Sequence, residues 1–169
     1  NGQHAVEWLH QLERDHDNLR AALEWALSGG EIVMGLRIVG ALWDFWMDRG
    51  YTHEGRSQAE RFLARPEAAA DTYLRARALH TAGLLAFYQG SLATASASLR
   101  ESIALSRQLG RNGKPFLLEA LIALGYTLLS LEECDAAETT ARESLRLSHE
   151  LQDDLDQGNA LLQLADIAR

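Results

Sequence analysis

The chain has 169 residues, 24 acidic and 16 basic, for a net charge of −8 with neutral histidines. At 47% hydrophobic it carries too much apolar surface for a disordered chain, and its acidic balance argues against a protein that neutralises phosphates, so no direct nucleic-acid partner is expected. A single cysteine, Cys134, excludes an internal disulfide and fits a reducing compartment, so a cytoplasmic location is expected.

No apolar run reaches the roughly 20 residues of a membrane span, so no membrane partner is expected. Asn1 to Glu7 offer neither the basic start nor the apolar core of a secretory signal. Apolar residues recur instead at three and four positions, the spacing of a buried helical stripe, and no stretch alternates long enough for a convincing strand. The first helix is expected near 4–28, with Leu9, Leu12, Leu19, Leu23 and Leu27 on its stripe. The short polar side chains at Asp15 to Asn18 offer a cap for a new turn within it. Further helices are expected near 31–49, 52–65, 69–89, 91–109, 115–131, 133–151 and 155–169. Between them or at their edges stand the breakers Gly29-Gly30, Gly50, Pro66, Gly90, Gly110 to Pro115, and Gln157-Gly158.

A repeat orders these helices. The phrases LRARALHTAG, FLLEALIALG and GNALLQLA align, with a fainter copy ending at Leu42-Trp43. The anchors Trp43, Gly83, Gly125 and Ala165 are then 40, 42 and 40 residues apart. Seven residues beyond the first three anchors lie Gly50, Gly90 and Glu132, at the turn between two helices; twelve beyond lie Gly55, Ala95 and Ala137, all small. Small residues on both helices let two backbones approach closely, so Gly83 should face Ala95, and Gly125 should face Ala137. One such pair cannot bury its apolar face alone, whereas stacked pairs share a continuous core. The expected fold is all-α: antiparallel helix pairs stacked as a right-handed superhelix of about eight helices. The expected division is a leading helix (1–30), three repeats (31–67, 68–110, 111–153) and a partial fourth (154–169).

The small-residue pattern around Gly83 and Ala95 resembles the tetratricopeptide repeat, with a period longer than its usual ~34 residues. The opening EWLHQLERDHDNLRAALEWALSGG, the following LRIVGALWDFWMDRGYTHEGRSQAERFLA, and RALHTAGLLAFYQGSLATASASLRESIALSRQLG together resemble the helical-repeat region of bacterial STAND-type signalling ATPases. These include MalT-like LuxR-family transcriptional regulators. The resemblance covers essentially the whole chain. It implies a piece of a longer protein, with an ATPase domain before it and further repeats or a DNA-binding domain after it. The last repeat, which has only its first helix, fits that expectation. An uncovered apolar face at Leu161, Leu162, Leu164 and Ile167 would then favour self-association.

Searches for chemistry return little. Gly110 to Pro115 lacks the spacing and the Ser/Thr of a phosphate loop and reads as a turn between repeats. None of the six histidines forms an HExxH pattern, and His16, on the apolar stripe, reads as a buried, hydrogen-bonded residue. Cys134, alone at a helix start, reads as inert. The acidic pairs Glu132-Glu133 and Asp153-Asp154 read as complements to helix dipoles. Trp8, Trp25, Trp43 and Trp46 read mostly as core, Trp8 and Trp25 being 17 apart and near one face of a continuous helix. No metal, cofactor or catalytic residue is expected, and the chain is expected not to be an enzyme.

In tetratricopeptide arrays the first helix of each pair lines a concave groove. Counted from the anchors, the resemblance places there Arg37, Asp44, Met47 and Asp48, then Arg77, His80, Leu84, Phe87 and Tyr88. The third pair supplies Glu119, Ile122, Tyr126, Leu129 and Ser130, and the partial fourth Asn159, Leu162 and Asp166. Aromatic anchors with charges of both signs suit a protein or peptide partner. The expected function is a non-catalytic interaction and sensor module of a larger signalling ATPase or transcriptional regulator. Its partner would be a protein, a peptide or the flanking domains of the parent. The alternative is a receptor domain for a sugar or metabolite inducer.

Overall fold

A computed structural model describes the backbone of residues 2–168 and the side chains of residues 7–168. Among the described residues there is no strand. Ten α-helices follow one another in the described residues: α1 (Gly2–Arg14), α2 (His16–Gly29), α3 (Ile32–Ala41), α4 (Trp43–Asp48), α5 (Thr52–Leu63), α6 (Thr72–Tyr88), α7 (Leu92–Gln108), α8 (Lys114–Ser130), α9 (Cys134–Leu151) and α10 (Asp154–Ile167). Short 3₁₀ turns at Pro66–Ala70 and Gly110–Gly113 precede α6 and α8.

The eight expected helices become ten because two of them break. The first breaks at Asp15, within the expected polar stretch. The second breaks at Leu42, inside an apolar run with no sequence punctuation, where φ −98° and ψ 8° separate α3 from α4. The expected break at Gln157-Gly158 does not form, and α10 runs through it. The chain turns earlier, at Gln152, and the Asp153 carboxylate accepts the backbone N–H of Asp156 at 3.0 Å as the cap of α10. Asp71 caps α6 in the same way, accepting from Leu74 N–H at 3.0 Å.

The repeat is visible in the backbone. Gly50, Gly90 and Glu132, the three positions seven residues beyond the anchors, all adopt left-handed φ, at 75°, 72° and 61°. At Gly90 and Glu132 the next residue's N–H reaches back to the helix carbonyls, Ser91 to Ala86 and Glu133 to Leu128, each at 2.9 Å. This is the Schellman arrangement that closes a helix end. Glycine is free to adopt it, whereas Glu132 holds it at a steric cost.

The helices stack in two layers. The inner layer is α3–α4, α6, α8 and α10, in which each helix packs on the next; the outer helices α5, α7 and α9 each lodge between two inner ones. Contact between consecutive inner helices, with the outer ones seated in the gaps, curves the array around the inner layer. Helices α6 and α8 are flanked on nearly every side, so their buried residues surround the axis rather than forming one stripe. One core cluster runs from Leu23 through Phe45, Trp46 and Phe62 to Leu85, and a second runs from Leu99 through Leu121 and Leu128 to Ala160.

Small residues set the closest approaches. A Cβ at Gly83 would stand 2.7 Å from Leu99 Cγ and 3.4 Å from the Ala95 carbonyl oxygen, so Gly83 meets Ala95 across the α6–α7 seam as expected. Gly55 lies beneath the Trp46 indole, and Gly35 beneath the Phe62 ring. At Gly125 the tightest approach comes from another helix. Although Ala137 is buried in the same core, the atoms nearest a Cβ at Gly125 belong to Gln163 of α10, at 2.2 Å. Gln163 is fully buried and donates from Nε2 to the Ile122 carbonyl at 2.7 Å, tying α10 to α8.

The tryptophans divide. Trp46 is core, but Trp8 and Trp25 are 50% and 61% exposed, against the expectation of core packing. The break at Asp15 explains this: Trp8 and Trp25 belong to different helices and share no face. On α10, Leu161 and Leu162 are exposed, Leu164 is half-buried, and Ile167 packs against the second core.

Candidate ligand groove

The inner layer brings side chains from four helices to one cavity of about 370 Å³. Helix α6 contributes His80, Leu84, Phe87 and Tyr88, and α8 contributes Glu119, Ile122, Ala123 and Tyr126. Spacings of three and four put each set on one helical face. Trp43 of α4 closes one end, and Asp156 and Asn159 of α10 close the other. A second cavity of about 530 Å³ adjoins it, lined by Trp8 and Leu9 of α1 and by Trp43, Asp44, Met47 and Asp48 of α4. Trp43 is common to both, so the two form one run along the concave face.

Most of the residues counted from the anchors therefore meet: His80, Leu84, Phe87, Tyr88, Glu119, Ile122, Tyr126 and Asn159 in the central cavity, Asp44, Met47 and Asp48 in the adjoining one. Arg77 stands behind the wall. Its Nη2 donates to the Gly40 carbonyl at 2.8 Å, and its guanidinium lies 5.3 Å from the centre of the Phe116 ring. Arg37 is exposed on α3 and lines neither cavity. Leu129 packs against the second core. Asp166 is exposed on α10, close enough for its charge to act on Tyr126. Trp43, Ala123 and Asp156 line the cavity without having been expected there. Trp43 was an anchor of the repeat and read with the other tryptophans mostly as core, but it follows the break at Leu42 and lies half-buried at the groove. Asp156 sits in the first turn of α10 and was not among the positions counted from the anchors.

The groove is electrostatically lopsided. The His80 side chain is 12% exposed, with Nδ1 4.0 Å from Glu119 Oε2. Burial, aided by the charge of Arg77, pushes its pKa down to about 4, so the imidazole is neutral at pH 7. Glu119 is raised above the usual carboxylate range, first by desolvation and then by the charges of Asp156, Asp44 and Asp153, with Arg77 offsetting part. Desolvation raises Asp44 as well. The Tyr126 phenol is raised by burial, then by Asp166 and Asp156. Acidic groups thus converge on a surface of aromatic rings, with Phe87 and Tyr88 edge to face at 5.4 Å.

Away from the groove, several carboxylates are paired. Arg75 pairs with Glu101, Arg107 with Glu143, Lys114 with Glu150, and Arg61 with Glu24. Elsewhere, His16 is buried as expected. Its Nε2 is 3.0 Å from Glu54 Oε1, and its ring stacks 4.2 Å from that of Tyr51. Cys134 is free and exposed at the start of α9. Gly110–Gly113 forms the expected connection between repeats. Among the described residues no helix is long and apolar enough to cross a membrane, and no group of three or more His, Cys, Asp and Glu side chains is placed to hold a metal ion.

No family model matches the chain. It is similar to proteins named as HTH-type transcriptional regulators from Mycobacterium bovis and from two strains of Mycobacterium tuberculosis. Each is 28% identical over 122 residues, covering 68% of this chain and 14% of the relative. The chain therefore matches only a small share of the length of these curated relatives.

Proposed function

We propose that the chain is a non-catalytic interaction and sensor module of a larger transcriptional regulator, built on tetratricopeptide-like repeats as in STAND-type, MalT-like proteins. It reads its ligand on the concave face and passes the bound state to the flanking parts of that regulator. The similarity to HTH-type regulators supports the regulatory setting. The observation that carries the reading is the convergence of α4, α6, α8 and α10 on one aromatic and polar cavity. A stacked array makes such a surface by geometry alone, and concave sites with a few convergent polar groups are where ligands bind.

A second reading, a receptor for a sugar or other metabolite, draws on the cavity itself. Its ~370 Å³ lies within the range of small-molecule sites. Thermal-shift measurements with a panel of peptides and of small sugars separate the two. A shift with peptides, abolished by Tyr126→Ala, supports the interaction module; a shift with a sugar alone supports the receptor. Tyr126→Ala removes a half-buried ring from the cavity wall and should leave the helical signal in place. Arg77→Ala is a poor probe of binding, because Arg77 also holds the Gly40 carbonyl and packs on Phe116.

A further inference from the structure

We propose that the groove's occupant is an extended basic peptide segment, with an arginine or lysine side chain seated in the central cavity between the aromatic walls and the carboxylates of Glu119 and Asp156. The inference rests on the reading of the concave face as the binding surface and adds the chemistry of what binds there.

Charge complementarity carries it. On the convex side, the carboxylates of Glu101, Glu143 and Glu150 each have a basic partner. In the groove, Asp44 has no such partner among the described residues, Glu119 meets only the neutral His80 at 4.0 Å, and Asp156 accepts a hydrogen bond from Asn159 Nδ2 at 3.1 Å. Beside the central cavity, the Arg77 guanidinium is committed to Gly40 and Phe116. These acidic groups repel one another: Glu119, raised first by desolvation, is raised further by Asp156, Asp44 and Asp153, and a cation placed among them would relieve that repulsion. The ring faces nearby add to its attraction for an ammonium or guanidinium group.

The spread of the acidic groups points to a chain rather than a single small cation. Asp44 lines the adjoining cavity beside Asp48, whose carboxylate is 3.4 Å from Arg49 Nε; Glu119 and Asp156 line the central one, and Trp43 joins the two. Negative charge thus runs along the groove from α4 to α10. A small amine would occupy one point of that run, whereas a peptide with basic residues along it would meet each point in turn.

The test is calorimetric titration of the whole chain with a blocked peptide of Gly-Ser-Arg repeats. Its Gly-Ser-Gln analogue, agmatine as a free guanidinium, and a neutral sugar serve as comparison ligands. The basic peptide should bind, with affinity falling at least ~tenfold between low and high salt. Affinity should fall at least ~tenfold again in a Glu119→Gln/Asp156→Asn double variant whose circular dichroism and melting are intact. Glu101→Gln on the convex side should leave it unchanged. Equal binding of the Gln analogue, or saturation by agmatine at the affinity of the peptide, overturns the basic-segment assignment. If the Gln analogue or the sugar alone binds and Tyr126→Ala abolishes that binding, the groove stands and its basic specificity falls. If the basic peptide binds indifferently to every groove substitution, both fall.

Discussion

Replacing Gly55 with alanine tests whether the close seams hold this array together. A methyl group there would stand 2.3 Å from Trp46 Cδ2 and 2.6 Å from two more indole atoms, where carbon atoms prefer about 3.5–4.0 Å. Trp46 is 1% exposed and has nowhere to retreat, so the ring or α5 must move by more than about 1 Å. Overpacking of this kind costs about 1–3 kcal/mol, and the helix preference of alanine over glycine returns about 1. With a rigid indole as the obstacle, the upper end of that cost applies, and the net loss should be about 1–2 kcal/mol. Gly158, also inside a helix, has nothing within 4 Å of its added Cβ, so Gly158→Ala should gain about 1 kcal/mol. Urea unfolding of both variants measures the contrast: the midpoint should fall for Gly55→Ala and rise for Gly158→Ala, with the slope unchanged. Midpoints that move the same way would refute the assignment of Gly55 to a close-packed seam.

Other substitutions probe separate parts of the account. Gly125→Ala should destabilise by about 1–3 kcal/mol by displacing Gln163, which is fully buried; thermal melting should show the loss, and pairing with Gln163→Ala should recover part of it. Glu132→Gly should stabilise by about 1 kcal/mol by removing the cost of a left-handed non-glycine residue, again read from the melting temperature. His80 titrates near 4 in the folded chain against 6.5 in the unfolded one, so the unfolded state takes up its proton first as pH falls. Its contribution of about 3 kcal/mol is intact above pH 6.5 and is lost progressively toward pH 4. Urea midpoints measured across that window should therefore fall less steeply in His80→Gln than in the parent.

The repeat was legible because steric demands recur with it. The turn needs a left-handed residue, and the seam needs a small one, so Gly50, Gly90, Gly83 and Ala95 declared themselves by residue type as well as spacing. The period could not say which neighbour a small residue serves: Gly83 meets its own repeat partner, whereas Gly125 meets Gln163 of the next inner helix. The break at Leu42 was illegible for a different reason. The run LRIVGALWDFW reads as one apolar helix, with no proline or capping side chain at the break. In the folded array, Phe45 and Trp46 on the far side of that break enter the core while Trp43 stays at the groove. The repeat spacing carries the register of the inner helices, which is why most cavity-lining residues of α6 and α8 are among the positions counted from the anchors, though Arg77 and Leu129 line neither cavity. Asp156 and Trp43 were not among the groove positions counted from the anchors: Trp43 follows the break at Leu42, which spacing does not locate, and nothing in the spacing marked Asp156.

The proposed function puts the ligand on the concave face. Amide and indole chemical-shift mapping on the isotopically labelled chain, titrated with the Gly-Ser-Arg peptide, tests it most directly. The account predicts shifts at the Trp43 indole and along the groove faces of α6, α8 and α10, with Trp25 and the outer helices α7 and α9 unmoved. Shifts confined to α7 and α9, with the Trp43 indole unchanged at saturation, would contradict it.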